Sequence, residues 1–159
     1  MKEIKYSIKG SYNLRKGRWS EPGNYYFVTT STYKRKPIFL NSEIAQIIFD
    51  SIKWLEDRKR LEWVCVQIMP DHIHMVINLG QNESLDKLMN SLKGFTGKKI
   101  NQFQKTNGPV WQNQYYDHCI RREESLNDII LYCYENPLRK GLVESAKDYP
   151  CWRCKFGIE

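Results

Sequence analysis

The 159-residue chain has three histidines, and two of them, His72 and His74, are separated by a single residue inside a strand-like run. Alternation along a strand sends both side chains to one sheet face. Two neutral imidazoles side by side can hold a divalent metal and leave positions open for phosphodiester oxygens, as Lewis-acid catalysis of phosphoryl transfer requires. Taken alone, a two-residue spacing also arises by chance on an exposed strand. A second constellation lies further on, where Leu126, Ile129, Ile130 and Cys133 share one side of a helical wheel at roughly 100° per residue. Tyr132 and Tyr134 occupy opposite shoulders of that apolar side, so either can face a site. Asn136, one turn after Tyr132, stands on the same face as it, which would bring a metal-binding amide and an attacking phenol together. A phenol with an ordinary pKa of about 10 attacks phosphate poorly at neutral pH without a metal or nearby cations. The product would be a covalent phosphotyrosine, which stores the energy of the cleaved bond for rejoining. No nucleotide-binding Gly-rich loop is present.

These residues need a scaffold, and the chain supplies one in alternating elements. The aromatic and β-branched run Tyr25 to Tyr33 reads as a first strand, ending in Lys34-Arg35-Lys36-Pro37. After Asn41 or Ser42 as N-cap, Ile44, Ile47, Ile48, Ile52 and Leu55 recur at helical spacing, and the charge run Glu56 to Arg60 reads as a solvated last turn. Trp63 to Met69 and His72 to Leu79 form a hairpin about the turn Pro70-Asp71. A second helix from Ser84 carries Leu85, Leu88, Met89 and Leu92, and Gly94 and Gly97 predict a bend in it. Past Asn107-Gly108-Pro109, residues Val110 to Arg122 read as extended, and Ser125 to Asp128 reads as a capping box opening a short last helix that Pro137 stops near Asn136. The order is an α+β, ferredoxin-like βαββαβ plan, an antiparallel sheet with an added C-terminal helix, in a single domain over residues 1–159. With helices on one face, the other face is expected to be open for a ligand or a second subunit.

The composition narrows the partners. Lys and Arg number 25 against 18 Asp and Glu, a net charge of +7, and the sequence pI is about 9.1, a balance that favours nucleic acid. Hydrophobic residues at 41% and aromatics at 13% suffice to order a core and exclude a disordered tail. Five cysteines, an odd and scattered number, argue for reduced thiols in the cytoplasm rather than a disulfide framework. Cys151 and Cys154 read as two packed thiols, because no second ligand pair lies near to complete a zinc site. Met1 to Gly10 has no apolar signal core, and no stretch approaches the roughly 18 apolar residues of a membrane span.

The stretch Ile68-Met69-Pro70-Asp71-His72-Ile73-His74-Met75-Val76-Ile77 resembles the HUH motif (His, hydrophobic, His) of single-tyrosine transposases. Trp111-Gln112-Asn113-Gln114-Tyr115-Tyr116-Asp117-His118-Cys119-Ile120-Arg121 and Tyr132-Cys133-Tyr134-Glu135-Asn136-Pro137-Leu138-Arg139-Lys140-Gly141-Leu142-Val143 are similar to two further blocks of the same family. The likeness, running from about Tyr25 to Trp152, is to the REP-associated tyrosine transposases, relatives of the transposases of the smallest bacterial insertion sequences. It implies a ferredoxin-like fold, a divalent metal (Mg2+ or Mn2+), and single-stranded or hairpin DNA of palindromic repeats as substrate. It also implies Tyr132 as nucleophile and His72, His74 and Asn136 as metal ligands. His118 reads as a structural hydrogen-bonding residue, and the family contains both monomers and homodimers that exchange the nucleophile helix.

For DNA, cations must neutralise phosphates while aromatics stack on unpaired bases. The candidates are Lys34, Arg35 and Lys36, then Lys93, Lys98 and Lys99, then Arg121 and Arg122, with Trp111 as a stacking residue. The expected activity is metal-dependent DNA cleavage and rejoining through a 5′-phosphotyrosine. The competing expectations are a nucleic-acid-binding protein on the same scaffold with its cleavage lost, and a metallohydrolase that forms no covalent adduct.

Overall fold

The computed structural model describes residues 20–157. The reading of Met1 to Gly10 lies outside the described residues. Five strands, β1 (Tyr25–Ser31), β2 (Leu61–Met69), β3 (His72–Leu79), β4 (Tyr116–Cys119) and β5 (Trp152–Cys154), form one sheet in the order β4-β1-β3-β2-β5. Every pairing is antiparallel. Helices α1 (Ser42–Asp57), α2 (Leu85–Gln104) and α3 (Leu126–Arg139) complete the α+β fold expected from the sequence. No helix among the described residues is long and apolar enough to cross a membrane.

The strands have two differently occupied faces. Tyr26, Val28, Val66, Ile68, Ile73, Met75 and Ile77 pack with Ile44, Ile48 and Ile52 of α1 and Leu88, Met89 and Leu92 of α2 in the main core. A bulge between Trp63 and Cys65 resets the alternation, so that Leu61 and Trp63 share this face with Val66 and Ile68. On the reverse face Phe27, Cys65 and Val76 meet Ile129, Ile130 and Cys133 of α3 in a smaller cluster. The face expected to be open is therefore covered in part by α3. This happens because three apolar residues of α3 need a surface to bury against.

Two N-cap readings hold and three local readings change. Asn41 does cap α1, its Oδ1 accepting from the Glu43 and Ile44 amides, and Ser125 caps α3 by accepting from Asp128. The α2 helix, however, runs unbroken through Gly94 and Gly97, because the burial of Leu92, Thr96 and Ile100 on one face holds the backbone that the glycines alone would loosen. The extended segment after Gly108 is a strand only over Tyr116–Cys119, and Trp111 joins the sheet through a single bridge to Thr32. Finally, Pro137 lies inside α3 rather than ending it. Its missing N–H would leave the Cys133 carbonyl bare, and Gln67 Nε2 of β2 donates to that carbonyl at 3.1 Å instead. The helix ends at Arg139, and beyond its C-cap Gly141 turns the chain at φ +70, where Leu142 N–H donates to Pro137 O and Gly141 N–H to Leu138 O.

Candidate active site

The β3 strand carries His72 and His74 to the face that α3 covers, and the register with β1 sets Thr29 opposite His74. The two Nε2 atoms lie 3.2 Å apart, so both rings aim at one point. Each Nδ1 is occupied from behind: His72 Nδ1 is 2.6 Å from Asp71 Oδ1, and His74 Nδ1 is 2.7 Å from Thr29 Oγ1. A carboxylate only accepts, so the His72 proton sits on Nδ1 and the neutral ring presents a bare lone pair at Nε2. Arg35 Nε in turn lies 3.0 Å from Asp71 Oδ2 and its Nη1 donates to Ser31 Oγ. That reach depends on two successive left-handed residues, Lys34 and Arg35, at φ 54 and 55. Burial lowers the pKa of His72, and burial followed by the neighbouring His72 lowers that of His74 well below the ordinary value. Both imidazoles are thus neutral at neutral pH, the form that ligates metal.

Across a hollow of about 160 Å³ stands α3. Tyr132 lines that hollow with both histidines, its ring 6.3 Å from His74 and edge-on to Phe27, which itself stacks on His74 at 5.5 Å. Tyr134 points elsewhere and packs on Trp152 of β5 at 5.5 Å. The two shoulders of the helical wheel are therefore inequivalent, and Tyr132 is the one at the histidines. Asn136 also lines the hollow; it is 3% exposed, and its Nδ2 has no hydrogen-bond partner among the described residues. Rotating the amide exchanges its nitrogen and oxygen, so this orphaned corner can offer an oxygen to a cation. Two imidazole nitrogens and an amide oxygen form a donor set that suits a small divalent ion. Among the described residues no group of three His, Cys, Asp or Glu is placed to hold a metal, so a cation here would complete its shell with oxygens of substrate and water. The cations of the site come from Arg35 and Lys140, which line the hollow, and from Arg139, whose guanidinium lies 4.2 Å from the Tyr132 ring centroid. Among the described residues no carboxylate lines the hollow.

The candidates for DNA contact separate. Arg35 reaches the hollow, whereas Lys34 lies over the Tyr33 ring and Lys36 is exposed beyond it. On α2, Lys93 binds the carbonyls of Gln112 and Gln114, Lys98 faces the same side, and Lys99 turns toward Phe95 on the α1 side. Arg121 and Arg122 are exposed in the turn before α3 and do not line the hollow. Trp111 is a core residue, not a stacking platform: it is 6% exposed, packs on Phe39, and donates from Nε1 to Thr96 Oγ1 at 2.9 Å. His118 bonds Glu124 at 2.9 Å, outside the hollow. Cys151 and Cys154 are half-buried thiols of the β5 edge, with pKa raised chiefly by burial. Sequence reasoning missed Asp71, Thr29 and Gln67. Asp71 adjoins His72 in the chain and was legible as its orienting partner, while Thr29 and Gln67 depend on strand register.

A His-hydrophobic-His strand facing a helix-borne tyrosine across an antiparallel sheet is the arrangement that the resemblance to single-tyrosine transposases implies. Residues 21–136 match the family model described as Transposase IS200 like, and the chain belongs to that family. It is similar to REP-associated tyrosine transposases of Haemophilus influenzae, 28% identical over 138 residues that cover 80% of this chain and 78% of that protein, and of Escherichia coli K12, 25% identical over 140 residues that cover 84% and 78%. Among solved structures, a REP-associated tyrosine transposase bound to a REP hairpin superposes with a TM-score of 0.71 at 20% identity, covering 84% of this chain and 78% of that one. A transposase-like protein of Deinococcus radiodurans gives 0.54 at 20% identity, covering 74% and 94%. At these identities the two structures establish the fold. The family resemblance drawn from the three sequence blocks is borne out.

Proposed function

We propose that this protein cleaves and rejoins single-stranded or hairpin DNA, of the palindromic-repeat kind its relatives are named for, through a covalent 5′-phosphotyrosine on Tyr132. The observation that carries this reading is the meeting of Tyr132, both His Nε2 atoms and the orphaned Asn136 amide in one carboxylate-free hollow. His72, His74 and Asn136 would hold Mg2+ or Mn2+, which when bound supplies Lewis-acid polarisation of the scissile phosphate. Asp71 and Thr29 fix the two rings from behind, so the Nε2 lone pairs need no reorientation. Arg35 and Lys140 attract the phosphodiester, and the absence of carboxylates avoids repelling it. The Tyr132 oxygen loses its proton and bonds to phosphorus as the 3′ oxygen of the preceding nucleotide departs and takes up a proton. Rejoining is the same exchange in reverse, with a 3′ hydroxyl attacking the phosphotyrosine.

The test uses a labelled hairpin oligonucleotide and a divalent ion. Wild type is expected to give a denaturant-resistant protein–DNA adduct through the 5′ phosphate and a free 3′ hydroxyl on the other fragment. Binding that leaves the DNA whole would instead establish a binding protein on the transposase scaffold, and cleavage without an adduct would establish a hydrolase.

A further inference from the structure

The hollow at Tyr132 has a neighbour along α2. It shares Gln112 with a groove of about 410 Å³ between α2 and residues 108–113, and that groove shares Lys98 and Asn101 with a third depression at the C-terminal end of α2. Among the described residues no Asp or Glu lines any of the three. The polar lining is instead ammonium and amide, represented by Asn90, Lys93, Lys98, Asn101 and Lys105. From Asn90 to Lys105 the helix extends about 22 Å at its usual rise per residue, enough for several nucleotides of an unpaired strand. The groove floor has one further property. Gly94 is exposed in mid-helix, and a Cβ there would meet nothing within 4 Å, so no packing among the described residues requires a glycine that weakens the helix. A bare stretch of helix backbone lets a second backbone lie close.

We propose that the groove along α2 seats the single-stranded DNA flanking the cleaved hairpin, leading it into the hollow at Tyr132. This deepens the function proposed above and rests on it for the identity of the nucleic acid. Lysines and amides without carboxylates suit a phosphodiester chain whose sequence varies. The shared Gln112, whose carbonyl Lys93 binds, sets the track beside the hollow where the strand is cut. The apposed Lys99, Phe95 and Trp54 on the α1 side lie outside it.

The experiment compares a hairpin carrying a single-stranded flank with the same hairpin trimmed flush, by fluorescence anisotropy across a salt titration, for wild type, Gly94→Ala, Gly94→Glu and Lys98→Ala. In wild type the flank is expected to tighten binding and steepen the salt dependence. Gly94→Glu places a carboxylate on the groove floor at a position with open space and should weaken flanked DNA by at least about tenfold, with little effect on the flush hairpin. Gly94→Ala, which adds only a methyl group, should weaken flanked DNA less than Gly94→Glu and unfold thermally as wild type, showing that the helix itself tolerates a side chain there. Lys98→Ala should lower the salt slope by about one on flanked DNA alone. Equal losses on flanked and flush DNA, no loss in Gly94→Glu, or no contribution of the flank in wild type would each overturn the track. Adduct formation on the flush hairpin is scored separately: a flank effect without any adduct would overturn the covalent reading and leave the track standing, whereas an adduct without a flank effect would do the reverse.

Discussion

The two faces of the sheet are built from alternate residues of the same strands, and they are made for opposite purposes. Toward α1 and α2 the strands present Val28, Val66, Ile68, Ile73, Met75 and Ile77 to isoleucines and leucines. Toward α3 they present Thr29, Gln67, His72 and His74, with an apolar patch where Phe27, Val64, Cys65 and Val76 meet Ile129, Ile130 and Cys133. Of three buried side-chain N or O atoms without a hydrogen-bond partner among the described residues, two, Gln67 Oε1 and Asn136 Nδ2, are on the α3 side. Unsatisfied buried polar atoms cost stability, so the second face is held in a less favourable state than packing alone would choose, and the first face supplies the stability that permits it. One sheet thus separates folding from chemistry by strand parity.

Substitutions on each side should respect that separation. The largest effect is expected for Tyr132→Phe, which removes one oxygen and should abolish the adduct while thermal unfolding and DNA affinity stay near wild type; Tyr134→Phe, whose ring packs on Trp152, should still form it. An adduct persisting in Tyr132→Phe and lost in Tyr134→Phe would reverse the assignment. His72→Ala and His74→Ala should eliminate metal-stimulated cleavage and retain most DNA binding in a gel-shift measurement, because the cations and not the imidazoles carry affinity. On the opposite face, Ile48→Ala empties a fully buried site and should cost about 2–5 kcal/mol in urea denaturation without changing adduct yield at temperatures well below the melt. If Ile48→Ala slows the chemistry of fully folded protein, the two faces are coupled and the comparison fails.

Smaller effects sharpen it. Gln67→Leu leaves the Cys133 carbonyl bare and should cost about 1–3 kcal/mol. Pro137→Ala restores the missing N–H, so the double variant should recover part of that loss, a non-additivity readable from a denaturation cycle. Thr29→Val removes the hydroxyl behind His74 and should weaken metal affinity by about tenfold, measured by titrating metal into the cleavage reaction.

The candidate catalytic residues were more legible than the loops that complete their surroundings. A strand period of two put His72 and His74 on one face, and a helical wheel put Tyr132 and Tyr134 on different sides, because both periods are properties of the backbone alone. What escaped depends on partners far away in sequence. Pro137 looks like a stop until Gln67 is seen beneath it, and Trp111 looks like a stacking residue until Phe39 and Thr96 enclose it. The β5 strand is three residues long, too short to show a period, and exists because the free edge of β2 accepts it. Lys93, Lys98 and Lys99 form one cluster in sequence, but a helix turns about 100° per residue and divides them between two sides.

The bond from Gln67 to Cys133 keys α3 to one height on the sheet. Because Pro137 leaves α3 one backbone donor short, the Cys133 carbonyl takes its hydrogen bond from Gln67 of β2, which pairs with His74 in the strand register. Lifting α3 trades that bond for one to water, so the proline makes the helix a part that fits at one notch. The notch sets Tyr132 level with the two histidines.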